Sequence, residues 1–291
     1  MGLSSTLVRL NLELSKQGYY KNIKSVAECG SQEIHMGKDE FEALLKRYNV
    51  TNYVPEKLPP WNFPGQPRCP SRVLYEMLGV EKYTSIDLNG EHGSIKIDLN
   101  FPLEDKSLYN RFDMVTDFGC NEHAFNMAEA YRTLHRLCKP QGLMVCTQSV
   151  WKGNGYYLID KSFYEGIAAA NGYKIICASY IISLSSANIQ GEDQFHLPLS
   201  DDLLDALNFS KLQGISICYV MSKQSDADFR LPYQDDYLAQ VQGCYGYEVQ
   251  FHSLPPARSY VPIIDVDNLK IKYLLKQLYK RARKKLVKND A

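Results

Sequence analysis

Residues 83–150 read YTSIDLNGEHGSIKIDLNFPLEDKSLYNRFDMVTDFGCNEHAFNMAEAYRTLHRLCKPQGLMVCTQSV. Three short apolar runs each end in acidic or small polar residues: Ser85-Ile86-Asp87, Ile97-Asp98-Leu99 and Met114-Val115-Thr116-Asp117. A helical pattern and a further apolar run follow. In an open α/β sheet, ligands bind beyond the carboxyl ends of the strands. A carboxylate just after a strand, ahead of a turn, is placed to take the hydroxyls of a ribose. Two such acids on neighbouring strands point to an adenosine-containing cofactor. A helix cap or a plain surface acid is the competing reading of each.

Working outward, residues 4–17 carry Leu7, Leu10, Leu12 and Leu14 among polar positions and predict an amphipathic helix rather than a secretory signal. Residues 23–29 predict a short strand ending at Gly30, and residues 36–48 a helix with Phe41, Leu44 and Leu45 on one face. Six Pro and several aromatics fall within residues 52–70, which excludes regular structure there. That segment reads as a folded, lid-like loop. Ser71 is expected to cap a helix through Leu78, with Gly79 ending it. Strands are predicted at 83–87, 94–99, 112–117 and 142–149, with a helix over 122–138. A helix over 162–171 precedes two long apolar strands at 173–184 and 215–223. The spacer between those strands holds a turn, SSANIQGEDQFHLP, and a short helix near 201–207. Such alternation implies a mostly parallel sheet with right-handed crossovers. The short link between the last two strands permits an antiparallel edge strand.

The 291 residues include 33 Lys+Arg and 33 Asp+Glu, so the formal net charge is zero and gives no global reason to expect nucleic acid. Eight Cys are scattered without a CxxC pair. Cys29, Cys146, Cys177 and Cys218 sit in apolar runs as small buried hydrophobes, which favours a reducing, cytoplasmic setting. No apolar stretch approaches the length of a bilayer span. His35, His92, His135, His196 and His252 show no metal-ligand spacing, and no metal is expected. Residues 267–289 predict a basic amphipathic helix, a pattern that suits peripheral contact with an anionic membrane or a packed helix with a solvated end.

Taken in order, these motifs resemble the class I S-adenosylmethionine-dependent methyltransferases, of the type found near bacterial polysaccharide and small-molecule genes. The resemblance covers roughly residues 23–223. Val26-Ala27-Glu28-Cys29-Gly30-Ser31-Gln32 matches the first motif but keeps only its acid and one Gly. Asp87 in SIDLNG matches the ribose acid, Asp98 in IKIDLN the acid near the adenine, and FDMVTDFGCNEH the strand and turn beside the methyl donor. LHRLCKPQGLMV is similar to the helix, turn and strand that follow. Gly30 and Asp87 lie nearly three times farther apart than the usual 20 or so residues. The excess implies an insertion, about 33–70, that contains the Pro/aromatic loop.

The resemblance implies a Rossmann-like, doubly wound, mostly parallel seven-stranded sheet with an antiparallel edge strand, a lid insertion and a C-terminal helix. Residues 1–223 would form the methyltransferase domain and 224–291 an extension. S-adenosylmethionine would be held by Glu28, Gly30, Gln32, Asp87, Leu88, Asp98, Leu99, Phe118 and Gly119. His123 is the candidate general base, with Asp117 and Tyr156 beside it. Trp61, Trp151, Asn154 and Tyr157 would form the acceptor pocket. The implied reaction is O-methylation of a sugar, glycan or other small polar acceptor. Nucleic-acid or protein methylation is the alternative enzyme, and a non-catalytic binding module the alternative class. A dehydrogenase would need GxGxxG after the first strand, which is absent.

Overall fold

The computed structural model describes residues 2–51, 53, 58–184, 194–207, 212–234 and 237. The predicted basic helix at 267–289 lies outside them. Seven strands form the main sheet, in the order β4 (Lys82–Ile86), β2 (Ser25–Cys29), β5 (Phe112–Phe118), β6 (Cys138–Trp151), β9 (Leu212–Ser222), β7 (Lys174–Leu184), β8 (Gln194–Pro198). A separate parallel pair joins β1 (Gly2–Ser4) to β3 (Glu33–His35). In the main sheet β4, β2, β5, β6 and β7 point one way, so their carboxyl ends share one edge. The strand β9 runs against both its neighbours inside the sheet, and β8 runs against β7 at the edge. The antiparallel edge strand was expected from the two long apolar runs, but β9 is antiparallel and interior; the edge is instead β8, built from the QFHLP end of the spacer read as a turn. Its Phe195 and Leu197 are buried and anchor it.

The sheet separates two apolar cores, because successive side chains on a strand point to opposite faces. Ala27, Val115 and Cys146 face α4 (Met127–Leu137) and α5 (Lys161–Asn171). Val26, Met114 and Val145 face α1 (Ser5–Lys16), α2 (Lys38–Arg47) and α3 (Arg72–Met77). This is a three-layer, Rossmann-like α/β arrangement. The helix α4 starts at Asn126, whose side chain accepts from the Glu129 N–H, and α5 starts at Asp160, which accepts from the Ser162 N–H. Gly172, at φ 65°, ends α5.

Three expectations change. The strand at 94–99 does not form; a single bridge pairs Ile86 with Ile95. Gly90 and Gly93, both at positive φ, turn the chain instead. Ser71 does not cap α3 with its side chain, because its hydroxyl is committed to Glu28. Nor is the insertion a detached flap. Ile34, Met36, Phe41, Leu45 and Trp61 are buried in the same core as α1. The chain beyond 223 begins by packing on the main domain: Phe229 lies edge-on to His135 at 5.7 Å, and the Arg230 N–H donates to Asn171 Oδ1 at 2.7 Å.

Candidate active site

The turn after β2 is held to the end of β4. Gly30, at φ 86°, donates its N–H to the carbonyl of Ile86 at 2.8 Å. Ser31 then donates its backbone N–H (2.8 Å) and its hydroxyl (3.1 Å) to Asp87 Oδ2. The Asn89 N–H donates to Asp87 Oδ1 at 3.1 Å, and the Asn89 amide reaches the Ser31 hydroxyl at 2.9 Å. A carboxylate offers about four acceptor positions. Asp87 thus clamps two strand ends and keeps acceptor capacity toward the space beside it.

Glu28 does not face that space. Strand alternation turns it to the α3 side, where it is fully buried and accepts from the hydroxyls of Ser71, Tyr83 (2.5 Å) and Tyr75 (3.0 Å). Burial pushes its carboxyl up to about 7, against the opposing pull of those hydrogen bonds. Gln32 is also buried, its amide donating to Cys29 O at 3.2 Å. Glu28 was expected at the cofactor with Asp87 and Asp98; of the three, Glu28 alone does not border the open space.

That space is a crevice of about 160 Å³ beyond the ends of β4 and β5. Asp87, Leu88, Asp98 and Leu99 form one wall, and Cys120, His123 and Ala124 the other. Leu88 is 60% exposed, an apolar side chain left in solvent beside two acids. The Asp98 carboxylate accepts from the Asn100 backbone and amide at 2.9 and 2.8 Å. Asn100 is in turn tied to Asn126 at the start of α4, at 2.9 and 3.0 Å. The loop that replaces the missing strand is thereby fixed, and it still carries Asp98 into the crevice wall.

Beyond Phe118 the chain turns at Gly119, at φ 75°, whose N–H donates to Thr147 O at 2.8 Å. A Cβ at Gly119 would meet no atom within 4 Å. The glycine therefore sits on open space, and it lines a second cavity of about 260 Å³. Gly2, His35 and Phe63 wall it from the N-terminal side, and Gln148 and Ser149 from the end of β6. Behind these stand two buried carboxylates. Asp117 accepts from the N–H groups of Cys120 (3.0 Å) and Asn121 (3.1 Å) and from the Gln148 amide. Burial pushes Asp117 up to about 6. Glu122 accepts from Ser149 through its N–H (2.8 Å) and hydroxyl (3.2 Å). His35 stacks on Phe63 at 5.4 Å between ring centroids; burial, with the Arg68 guanidinium 3.5 Å from Nε2, lowers it to about 4, so it is neutral near pH 7.

The expected acceptor residues are not gathered at this cavity. Trp61 is buried, donates its indole N–H to Met36 O at 3.1 Å and meets Phe41 edge-on. Trp151 lies at the end of β6 with the Lys152 ammonium 4.4 Å from its ring centre. Asn154 is exposed, and Tyr156, 70% exposed, stands edge-on to Phe125. Tyr157 donates its hydroxyl to Phe125 O at 2.8 Å. His123 lines the crevice rather than the cavity, and Asp117 is closed off behind Gln148. Of the three residues expected to share the chemistry, His123 thus lines the crevice, Asp117 is buried and the Tyr156 ring is exposed, although the Tyr156 N–H donates to Glu122 O, beside His123, at 2.8 Å. Ser31, His35, Gln148 and Ser149 carry no site role in the sequence reading. Ser31 falls within the first motif, while His35, Gln148 and Ser149 have no motif to mark them. Among the described residues, no group of three His, Cys, Asp or Glu is arranged to hold a metal, and no helix is long and apolar enough to cross a membrane.

No family model and no curated protein matches the chain. Solved structures do resemble it. One is the 1,6-didemethyltoxoflavin-N1-methyltransferase of Burkholderia thailandensis, solved with S-adenosylhomocysteine: 11% identity, TM-score 0.39, covering 76% of this chain and 80% of that one. Another is a SAM-dependent methyltransferase of Archaeoglobus fulgidus, at 12% identity and TM-score 0.36, covering 73% and 94%. A third is a TehB-like SAM-dependent methyltransferase of Corynebacterium glutamicum, at 11% and 0.35, covering 73% and 88%.

Proposed function

We propose that this chain is an S-adenosylmethionine-dependent methyltransferase that methylates a hydroxyl of a small polar acceptor, such as a sugar or glycan unit. The supporting observation is a pair of spaces meeting at one turn. The strand-end crevice has Cys120 in its wall and the larger cavity has the adjacent Gly119. Two substrates entering from opposite sides would meet there.

The residues fit an adenosyl group on the donor side. Asp87 keeps acceptor capacity for ribose hydroxyls, Asp98 and Asn100 present polar groups farther along, and Leu88 offers an apolar surface to a flat base. Gly119 leaves a gap where any other residue would place a Cβ. When bound, the group supplies an electrophilic methyl on a sulfonium. The chain's own contribution is alignment, which can carry much of the rate of an in-line displacement. His35 is the imidazole on the acceptor side. Held near 4 it is a weak base, since an effective one titrates near the working pH. Orientation of the acceptor against the Gly119 turn therefore carries more of the chemistry than proton removal. In this reading His123 serves the donor side.

The test is transfer of a labelled methyl group from S-adenosylmethionine to a panel of sugars, glycans and polar metabolites. Label in a stable O-methyl ether of one panel member is the expected result. Binding of the cofactor with transfer to nucleic acid or protein instead would replace the acceptor class.

A further inference from the structure

We infer that the cavity walled by His35, Phe63 and Gln148 is the acceptor site, that it selects an uncharged, hydroxyl-bearing ring, and that Gln148 is the side chain that reads it. This rests on the methyltransferase reading and narrows its substrate.

The chemistry of the lining carries the inference. Gln148, Ser149, Gln213 and Ser216 contribute amides and hydroxyls, groups that both donate and accept. Among the described residues, no Asp, Glu, Lys or Arg side chain lines the cavity. Asp117 and Glu122 lie one layer back, each accepting from a residue that does line it, Gln148 and Ser149. Among the described lining side chains a charged ligand would meet no opposite charge, and burying an unpaired charge is expensive. His35 adds none, because its ring is neutral and fixed; a Cβ on Gly2 would lie 2.2 Å from it. Phe63 presents an aromatic surface beside these polar groups, a combination suited to a ring with an apolar face and a polar rim.

Gln148 is singled out by its two ends. Its Nε2 donates to the Asp117 carboxylate, which can only accept, so the orientation of the amide is fixed. Its Oε1 is then committed as an acceptor, yet it is buried with no partner among the described residues, in a side chain that is 1% exposed and lines the cavity. A buried amide oxygen without a partner is the group a ligand O–H completes. Asp117 acts through Gln148 and is a positioning residue.

The full chain is first loaded with S-adenosylhomocysteine, its affinity measured by calorimetry. Saturation-transfer NMR then follows three probe classes: neutral methyl hexopyranosides, anionic methyl hexuronates and cationic methyl aminohexosides. The neutral probes are expected to bind, with Gln148→Leu weakening them about tenfold, the worth of one hydrogen bond. Affinity for S-adenosylhomocysteine should stay unchanged, which also shows that the variant is folded. Asp117→Leu should repeat the loss, and so should Asp117→Asn, whose amide can donate as well as accept and so no longer fixes the Gln148 amide. Preference for a charged class overturns the inference, as does neutral-probe binding that ignores Gln148→Leu. No binding of any probe by the loaded protein overturns it and leaves the cofactor reading standing. Failure to bind S-adenosylhomocysteine at all removes the methyltransferase reading itself.

Discussion

Ser31 and Asp87 join the ends of two neighbouring strands through one carboxylate oxygen, which takes both the backbone N–H at 2.8 Å and the hydroxyl at 3.1 Å. The contact sets the position of the acid that would hold a ribose. Ser31→Ala keeps the backbone bond and loses the hydroxyl. It should lower folding stability by about 1 kcal/mol and weaken S-adenosylhomocysteine about three- to tenfold. Denaturant melts and calorimetry on the same variant check both. An unchanged affinity would detach the turn from the cofactor.

Gly119 should matter more to binding than to folding. An alanine there adopts a left-handed conformation at about 1–2 kcal/mol, and its Cβ enters open space at the turn where the cavity and the crevice have adjacent lining residues. Gly79 is a matched control, at φ 87° with nothing within 4 Å of a built Cβ, and at the far end of α3. Gly119→Ala and Gly79→Ala should lose similar stability, while only the first loses cofactor affinity. Equal affinity in both would leave Gly119 a plain turn.

Glu28 predicts a pH dependence of stability. Its carboxyl is raised by burial from 4.5 to about 7 in the folded protein. Between those values the folded state binds more protons than the unfolded one, so stability falls as pH rises. The stabilising contribution is complete below the unfolded value and is gone once the pH passes the folded one. Asp117, raised to about 6, acts in the same sense, whereas His35 and His135, both lowered to about 4, act oppositely. The contribution of Glu28 is isolated by comparison with Glu28→Gln. The melting temperature of the parent should drop relative to the variant as pH is raised from about 5 to about 8. A constant difference would mean that the buried carboxyl does not titrate there.

Trp61 should behave as core and not as a gate. Its indole is buried against Phe41 and bonded to Met36. Trp61→Ala should therefore destabilise the fold by about 3–5 kcal/mol. Hydrogen exchange around Trp61 in the parent protein should be the same with and without S-adenosylhomocysteine. Strong protection on adding the ligand would restore a closing role.

The layers and strand ends were legible because they rest on contiguous apolar runs followed by acids, as at Ile86-Asp87 and Val115-Thr116-Asp117. The strand expected at 94–99 failed for a local reason, two glycines at positive φ just before it. Glu28 looked like a site acid because its partners Ser71, Tyr75 and Tyr83 are distant in the chain. Only the pairing of β2 with β4 and the packing of α3 bring them to it. The second cavity was illegible for the same reason. Its walls come from β1, β3, β6, β7 and β9, which no short window of sequence connects. His35 and Gln148 carry no motif, and their meaning lies in what the fold sets behind them.

The crevice beside Asp87 is the centre of the account, and calorimetric titration of the full chain with S-adenosylhomocysteine tests it most directly. The parent should bind at about micromolar affinity, and Asp87→Ala should lose about 1.5–3 kcal/mol for each charge-assisted hydrogen bond removed. No heat of binding from the folded parent protein, or an Asp87→Ala variant that binds as tightly as the parent, would contradict it.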